Sequence, residues 1–265
     1  VASLATSLTH NSNRNLAMTA SSTDRVASVY EANRLQFANL RGRASLVVAN
    51  AQDGSGTAVD VERASNGEFS SDPMACFGKW SALRDFAARI GDAGAVKFSP
   101  AELAAPSPRP AQIFGIGLNY REHANETGAP IPETPLTFTK FPSSVNTPHG
   151  EIVVDVPTAD WEVELVVVIG IGGRNISLVH AWDAVAGLCV GQDVSDRLLQ
   201  RATQPPQFSL GKSRRGYSPF GPWLVDARSI ANRDSLTMHC SLDGGEVQRT
   251  NTDDLIFPVP ALVAY

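Results

Sequence analysis

Apolar positions along this chain fall mostly in short runs cut by glycine and proline, the texture of a strand-rich protein with few long helices. One segment has helical spacing. Trp80, Leu83, Phe86, Ala87 and Ile90 share a face, which predicts a helix over 80–90. Residues 37–48 and 57–62 read as short strands, with Gly54-Ser55-Gly56 as a turn between them. Residues 100–110 are rich in Pro and Ala and read as a linker, so a domain boundary is placed near it. Further on, 113–118 reads as a buried strand and 152–156 as another. Residues 178–186 read as a short helix with Ser177 as its N-cap. Segments 236–242 and 246–250 form a hairpin pattern across Asp243-Gly244-Gly245. Residues 1–33 carry no apolar period and are dominated by Ser, Thr, Asn and Ala, so they read as a disordered leader. The resulting division is leader 1–33, a small N-terminal domain 34–105 and a larger domain 106–265.

One run breaks the apolar pattern in an informative way: Asp160-Trp161-Glu162-Val163-Glu164-Leu165-Val166-Val167-Val168-Ile169-Gly170. In a strand, alternate residues share a face, so Glu162 and Glu164 point the same way as Val166 and Val168. Two carboxylates side by side repel each other and lose hydration. Such a pair persists when one is protonated, when a cationic side chain lies between them, or when they hold a metal ion. The plain alternative is a solvated face of an edge strand. The four apolar residues 165–168 argue against it, because they imply cover on both faces. A further carboxylate, Asp193, follows another apolar stretch, 185–190. Oxygen ligands without a partnering His or Cys suit a hard divalent ion, Mg²⁺ first, then Mn²⁺ or Ca²⁺.

Composition narrows the partners. The net charge of −5 and the lack of a basic stripe argue against a nucleic-acid binder. The 3 cysteines are far apart and in no CxxC pattern, which reads as free thiols in a reducing, cytoplasmic setting. A Ser-rich start with few acids also matches an organellar transit segment, the lesser reading here. No apolar run approaches the roughly 18–20 residues of a membrane span.

Two other segments carry candidate chemistry. In Gly117-Leu118-Asn119-Tyr120-Arg121-Glu122-His123-Ala124-Asn125-Glu126, a helical turn brings His123 and Glu126 together. A carboxylate beside an imidazole orients it and raises its basicity, as a general base requires. A surface His–Glu pair is the plain alternative. In Gly211-Lys212-Ser213-Arg214-Arg215-Gly216, Lys212 lies in a glycine-flanked loop from which it can reach an anion. The loop does not match a phosphate-binding GxxxxGK[ST] pattern.

Taken in order, these segments resemble the fumarylacetoacetate hydrolase family. The matching pieces are Gly117-Leu118-Asn119-Tyr120 with His123 and Glu126, Asp160-Trp161-Glu162-Val163-Glu164-Leu165, and Gln192-Asp193-Val194-Ser195 with Arg197 and Gln200. Gly211-Lys212-Ser213, Pro219-Phe220-Gly221-Pro222-Trp223 and the stretch 248–257 complete the series. The resemblance implies an α+β, mainly β fold: a mixed β-sheet roll with a smaller N-terminal α/β domain. It implies Glu162, Glu164 and Asp193 as metal ligands, and His123, Glu126 and Lys212 as catalytic residues, the dyad on a lid segment. Lys140, Arg197 and Gln200 are implied substrate contacts. The implied protein is a homodimeric, divalent-metal-dependent hydrolase or lyase of a β-diketo or α-keto acid. It would act by C–C hydrolysis or decarboxylation through an enolate, in aromatic-compound breakdown. Hydratase or isomerase action on 2-oxo-ene-dioic acids, or a non-catalytic ligand-binding role, are the alternatives. Arg215 departs from the family pattern, which often has an acidic residue there. The family pattern also continues past the last residue, Tyr265, so the chain reads as a C-terminally truncated member.

Overall fold

The structure, a computed structural model, describes residues 35–265. The expected leader lies outside them. The first part contains β1 (Gln36–Leu40), β2 (Arg43–Asn50), β3 (Gly56–Asp60), α1 (Val61–Ala64), α2 (Pro73–Phe77), α3 (Trp80–Ile90), β4 (Val96–Phe98) and β5 (Leu103–Ala104). The strand expected over 37–48 is two strands. Arg41 and Gly42 take positive φ, 53° and 81°, and reverse the chain within the apolar pattern. Helix α3 has the predicted bounds, and its apolar face packs on Phe37, Leu46, Phe69 and Phe77.

The second part contains β6 (Ile113–Gly117), α4 (Arg121–Thr127), β7 (Leu136–Lys140), β8 (Val145–Asn146), β9 (Ala159–Asp160), β10 (Val163–Ile169), α5 (Ala181–Ala184), β11 (Val185–Gln192), β12 (Ser195–Asp196), α6 (Arg197–Gln200), α7 (Phe208–Gly211), β13 (Ser218–Asp226), β14 (Thr237–Leu242), β15 (Gly245–Asn251) and α8 (Val259–Ala264). Three expectations need correction. The segment 113–118 is not buried: among the described residues β6 pairs only with β7, and Phe114 is exposed. The segment 152–156 forms no strand. Ile152 alone packs inward, on Val194 and Tyr217, while Val153 faces solvent. The helix expected over 178–186 is a 3₁₀ turn (Leu178–His180) followed by α5, and β11 takes over at Val185. Burial of the β-branched, apolar run in the sheet overrides the local helical reading. The hairpin β14–β15 forms as expected, with Asp243 and Gly244 both at positive φ.

The main sheet runs β10-β11-β13-β1-β2-β3-β4, with β5 on β1 and β8 beside β13. Its path is open, and the β13–β8 pairing is parallel, so the sheet is mixed. Strand β1 pairs directly with β13, Phe37 opposite Leu224. The sheet therefore runs across the boundary expected near residue 105. Asp226, at the end of β13, adds a second tie. It accepts from Trp80 Nε1 at 2.9 Å and from the Arg84 guanidinium at 2.9 and 2.7 Å.

Candidate active site

Strand register assembles the carboxylates. Val163 opposes Gln192 and Glu164 opposes Gly191, so Glu162 lies across from Asp193, whose N–H donates to the Glu162 carbonyl at 2.9 Å. Opposed residues of an antiparallel pair share a face, so Glu162, Glu164 and Asp193 gather on one side. Opposite Glu164 only glycine fits. A Cβ on Gly191 would sit 2.7 Å from Val166 Cγ2 and 3.1 Å from Phe220 Cβ.

Cationic side chains converge on this face. Lys212 Nζ donates to Glu162 Oε2 at 2.7 Å, Asp193 Oδ2 at 2.9 Å and Ser195 Oγ at 2.7 Å. Lys140, at the end of β7, donates to Asp193 Oδ1 at 2.5 Å and to the Tyr217 carbonyl at 2.9 Å. Arg197 Nη1 donates to Glu162 Oε1 at 2.5 Å and Gln200 Oε1 at 3.1 Å, and its Nε reaches Asp160 Oδ2 at 2.9 Å. Both lysines are almost completely buried. The Phe138 ring lies 5.4 Å from Lys212 Nζ, close enough for a cation–π contact.

Local structure explains the placement of Lys212. It caps α7, its N–H donating to the Phe208 carbonyl at 3.1 Å. Helix α7 lies tight against α6 at Gly211, where a Cβ would come within 2.7 Å of Gln200 N and 2.8 Å of the Asp196 carbonyl. The β9–β12 bridge, Ser195 opposite Asp160, brings Ser195 and Asp160 to the same site.

The three carboxylates are not equally served. Burial opposes ionisation of Glu162, but Lys212 and Arg197 outweigh it and hold its carboxyl below the usual range. Glu164 is the reverse. Burial, then the charges of Glu162 and Asp193, push its carboxyl well above the usual range. Among the described residues it makes no hydrogen bond or ion pair. All-oxygen donors gathered round a positive centre, with one carboxylate left uncompensated, fit a hard divalent ion by their chemistry. As the side chains stand, the shared centre is the Lys212 ammonium. Among the described residues no group of three or more His, Cys, Asp or Glu side chains is already arranged to hold a metal ion.

The expected dyad is not part of this cluster. His123 Nδ1 and Glu126 Oε2 are 3.8 Å apart on α4, beyond hydrogen-bond range, and both side chains are exposed. Neither makes a described contact with the carboxylates. Tyr120, the residue before α4, packs on the cluster of Val163, Met238 and Cys240. Burial, then the charges of Glu164 and Asp254, raise its phenol. Asn119 fixes this end, accepting from Phe257 N at 2.9 Å and donating to the Phe257 carbonyl at 3.0 Å. The structure thus joins Glu162, Asp193, Lys212, Lys140, Arg197 and Gln200, with Glu164 alongside. Sequence reading missed Ser195 and Asp160 as partners in this network, although both lie within the motifs that drew attention.

Residues 112–265 match the family described as Fumarylacetoacetate (FAA) hydrolase C-terminal. The chain belongs to the fumarylacetoacetate hydrolase family, a family of enzymes. It is 39% identical over 163 residues to the human mitochondrial oxaloacetate tautomerase FAHD2A, covering 61% of this chain and 52% of that protein. The chain spans about half the length of the curated relatives it matches. A candidate HpcE protein from Mycobacterium smegmatis superposes with a TM-score of 0.76 at 42% identity, covering 87% of this chain and 80% of that one. The maleylpyruvate hydrolase of Sphingobium sp. SYK-6, solved with manganese(II) and pyruvate, shares the fold with a TM-score of 0.70 at 21% identity, over 87% and 81% of the two chains. No helix among the described residues is long and apolar enough to cross a membrane.

Proposed function

We propose that this chain carries the active site of a divalent-metal-dependent enzyme acting on a small anionic oxo acid. The shared step is transfer of a proton at the carbon beside a carbonyl. Keto–enol tautomerisation of a 2-oxo acid is the leading reaction, because the curated relatives at 36–39% identity include oxaloacetate tautomerases. C–C hydrolysis or decarboxylation, expected from the resemblance, passes through the same kind of charge and is the second reading. The observation that carries the proposal is the buried cluster of Glu162, Asp193 and Lys212 beside the uncompensated Glu164.

Glu162, Glu164 and Asp193 would hold the ion. Bound there, a divalent cation supplies Lewis-acid stabilisation of developing negative oxygen. The chain's own side chains supply the rest. Lys140 and Lys212 place ammonium groups where a substrate carboxylate would approach, and burial holds Lys140 below the usual lysine range. Arg197 and Gln200 form a polar edge that can orient that carboxylate. His123 stands on the exposed face of α4, which begins just after Tyr120. It would take the proton from carbon once α4 brings it against the substrate, with Glu126 setting its orientation.

The test is a panel of 2-oxo acids, oxaloacetate and acylpyruvates included, given to the full chain with Mg²⁺ or Mn²⁺. Tautomer interconversion is followed by ultraviolet absorbance and cleavage products by mass. Turnover that needs the ion, and that His123→Ala cuts by about 10²–10⁴ without changing ion affinity, is the expected result. A panel with no turnover in either metal would refute the assignment.

A further inference from the structure

At the start of the strand that carries the two glutamates, two successive backbone N–H groups are held by side chains rather than by the sheet. The Glu162 N–H donates to Gln192 Oε1 at 3.1 Å. The Val163 N–H, between the two glutamates, donates to Gln248 Oε1 at 2.9 Å. Gln248 belongs to β15, which among the described residues pairs with β14 alone and lies outside the main sheet. Gln192 Nε2 in turn donates to Cys240 Sγ on β14 at 3.3 Å, and Cys240 is the cross-strand partner of Gln248. The hairpin therefore grips the start of β10 at two successive amides. Val163, Met238 and Cys240 are buried together beneath that grip.

The grip has a consequence for the carboxylates. A buried N–H strongly selects the backbone orientation that gives it an acceptor. In a strand, the orientation of the peptide planes sets where the flanking side chains point. Fixing the Val163 amide therefore fixes the directions of Glu162 and Glu164 together. The hairpin adds no counter-charge of its own: Arg249, its nearest cation in sequence, is bound to Glu246 on the surface.

We propose that Gln248 is a positioning residue for the carboxylate cluster, acting on Glu162 and Glu164 through the Val163 amide. This rests on the functional reading above only for its metal readout. The experiment compares the wild-type chain with Gln248→Met, which keeps length and loses the acceptor, and with Gln248→Glu, which restores an acceptor oxygen. Hydrogen–deuterium exchange of peptides spanning 160–166 and Mn²⁺ titration followed by electron paramagnetic resonance are read side by side. In Gln248→Met, exchange over 160–166 rises at least about tenfold while α3 peptides stay unchanged, and the Mn²⁺ Kd rises about tenfold or more. Gln248→Glu recovers the amide protection. Unchanged exchange over 160–166 in Gln248→Met overturns the proposal, as does an unchanged Kd in a wild-type protein that binds Mn²⁺. Should the wild-type chain bind no Mn²⁺, the metal reading falls, and the exchange result alone decides for or against Gln248.

Discussion

Replacing Lys212 by Met tests the centre of the site with least ambiguity. The ammonium has three N–H donors, and acceptors occupy all of them: Glu162, Asp193 and Ser195. Met fills the space beside Phe138 but leaves the carboxylates without their shared cation. Removing one partner of a buried ion pair costs about 3–5 kcal/mol, because the other charge remains buried and unpaired. The low end applies here, since Glu162 keeps Arg197 and Asp193 keeps Lys140. For a chain of this size, about 3 kcal/mol corresponds to a fall of roughly 6–12 °C in Tm.

The assay is thermal unfolding in EDTA and again in excess Mg²⁺. In EDTA, Lys212→Met melts lower by that amount. In Mg²⁺ the gap narrows, because the ion replaces the positive charge that only the variant lacks, beyond the linkage stabilisation of about 2.7 kcal/mol at a hundred times Kd that both proteins share. A variant melting within about 1 °C of wild type in EDTA would show that the ammonium does not hold the carboxylates. A gap that Mg²⁺ leaves untouched would remove the cation from this position.

Gly211→Ala should separate α6 from α7, because the new Cβ meets backbone atoms at 2.7 and 2.8 Å that cannot turn aside. Overpacking of this kind costs about 1–3 kcal/mol, and turnover should fall at least about tenfold as Lys212 shifts; wild-type kinetics would contradict the packing argument. Asp196 gives a pH signature. Burial disfavours its charge, but Thr158, the Leu199 N–H and Arg214 outweigh that and lower its carboxyl below the usual range. A folded value below the unfolded one stabilises above the ordinary carboxylate range and is lost as pH falls through it. Asp196→Asn should therefore lower Tm at pH 7 and much less near pH 3, and a gap independent of pH would exclude the role. The cysteines should be silent. Burial pushes Cys76 up to about 11 and Cys189 up to about 12, so at pH 8 the thiolate is about a thousandth or less of either. Iodoacetamide should label neither in the native protein and both in urea, and native labelling of Cys76 would contradict its burial.

What the sequence disclosed follows from how local each signal is. Helix α3 was legible because a single face, Trp80 to Ile90, repeats without interruption. The carboxylate cluster was legible because strand alternation puts Glu162 and Glu164 on one face without any tertiary knowledge. The β1–β2 reversal was hidden, since apolar residues continue on both sides of Arg41-Gly42 and only backbone φ marks the turn. The strand expected over 152–156 failed for a different reason: of its apolar residues only Ile152 is buried, and Val153 faces solvent. Ser195, Asp160 and Gln248 carried no signal of their own, because their roles lie in contacts with residues 17, 37 and 85 positions away. Spacing put His123 and Glu126 on one turn of helix, but spacing says nothing about where that helix sits relative to the carboxylates.

The pattern of charge explains why these pieces belong to one site. Glu162 and Asp193 each have both oxygens engaged by cationic side chains, so neither needs a further ion for stability. Glu164, two residues from Glu162 on the same face, has no cation bound to it among the described residues, and burial with its acidic neighbours outweighs Lys212 and Lys140 and drives it toward its neutral form. A fold selected for stability alone would place an apolar residue at 164, as it does at Val166 and Val168 of the same strand. Keeping a carboxylic acid there costs stability, a cost that the proposed divalent ion would offset. The same argument extends to Gln248, whose acceptor oxygen fixes the strand at the peptide between the satisfied glutamate and the unsatisfied one. Loosening that peptide would let Glu164 turn away from Glu162 and Asp193, relieving the repulsion and dismantling the donor set together.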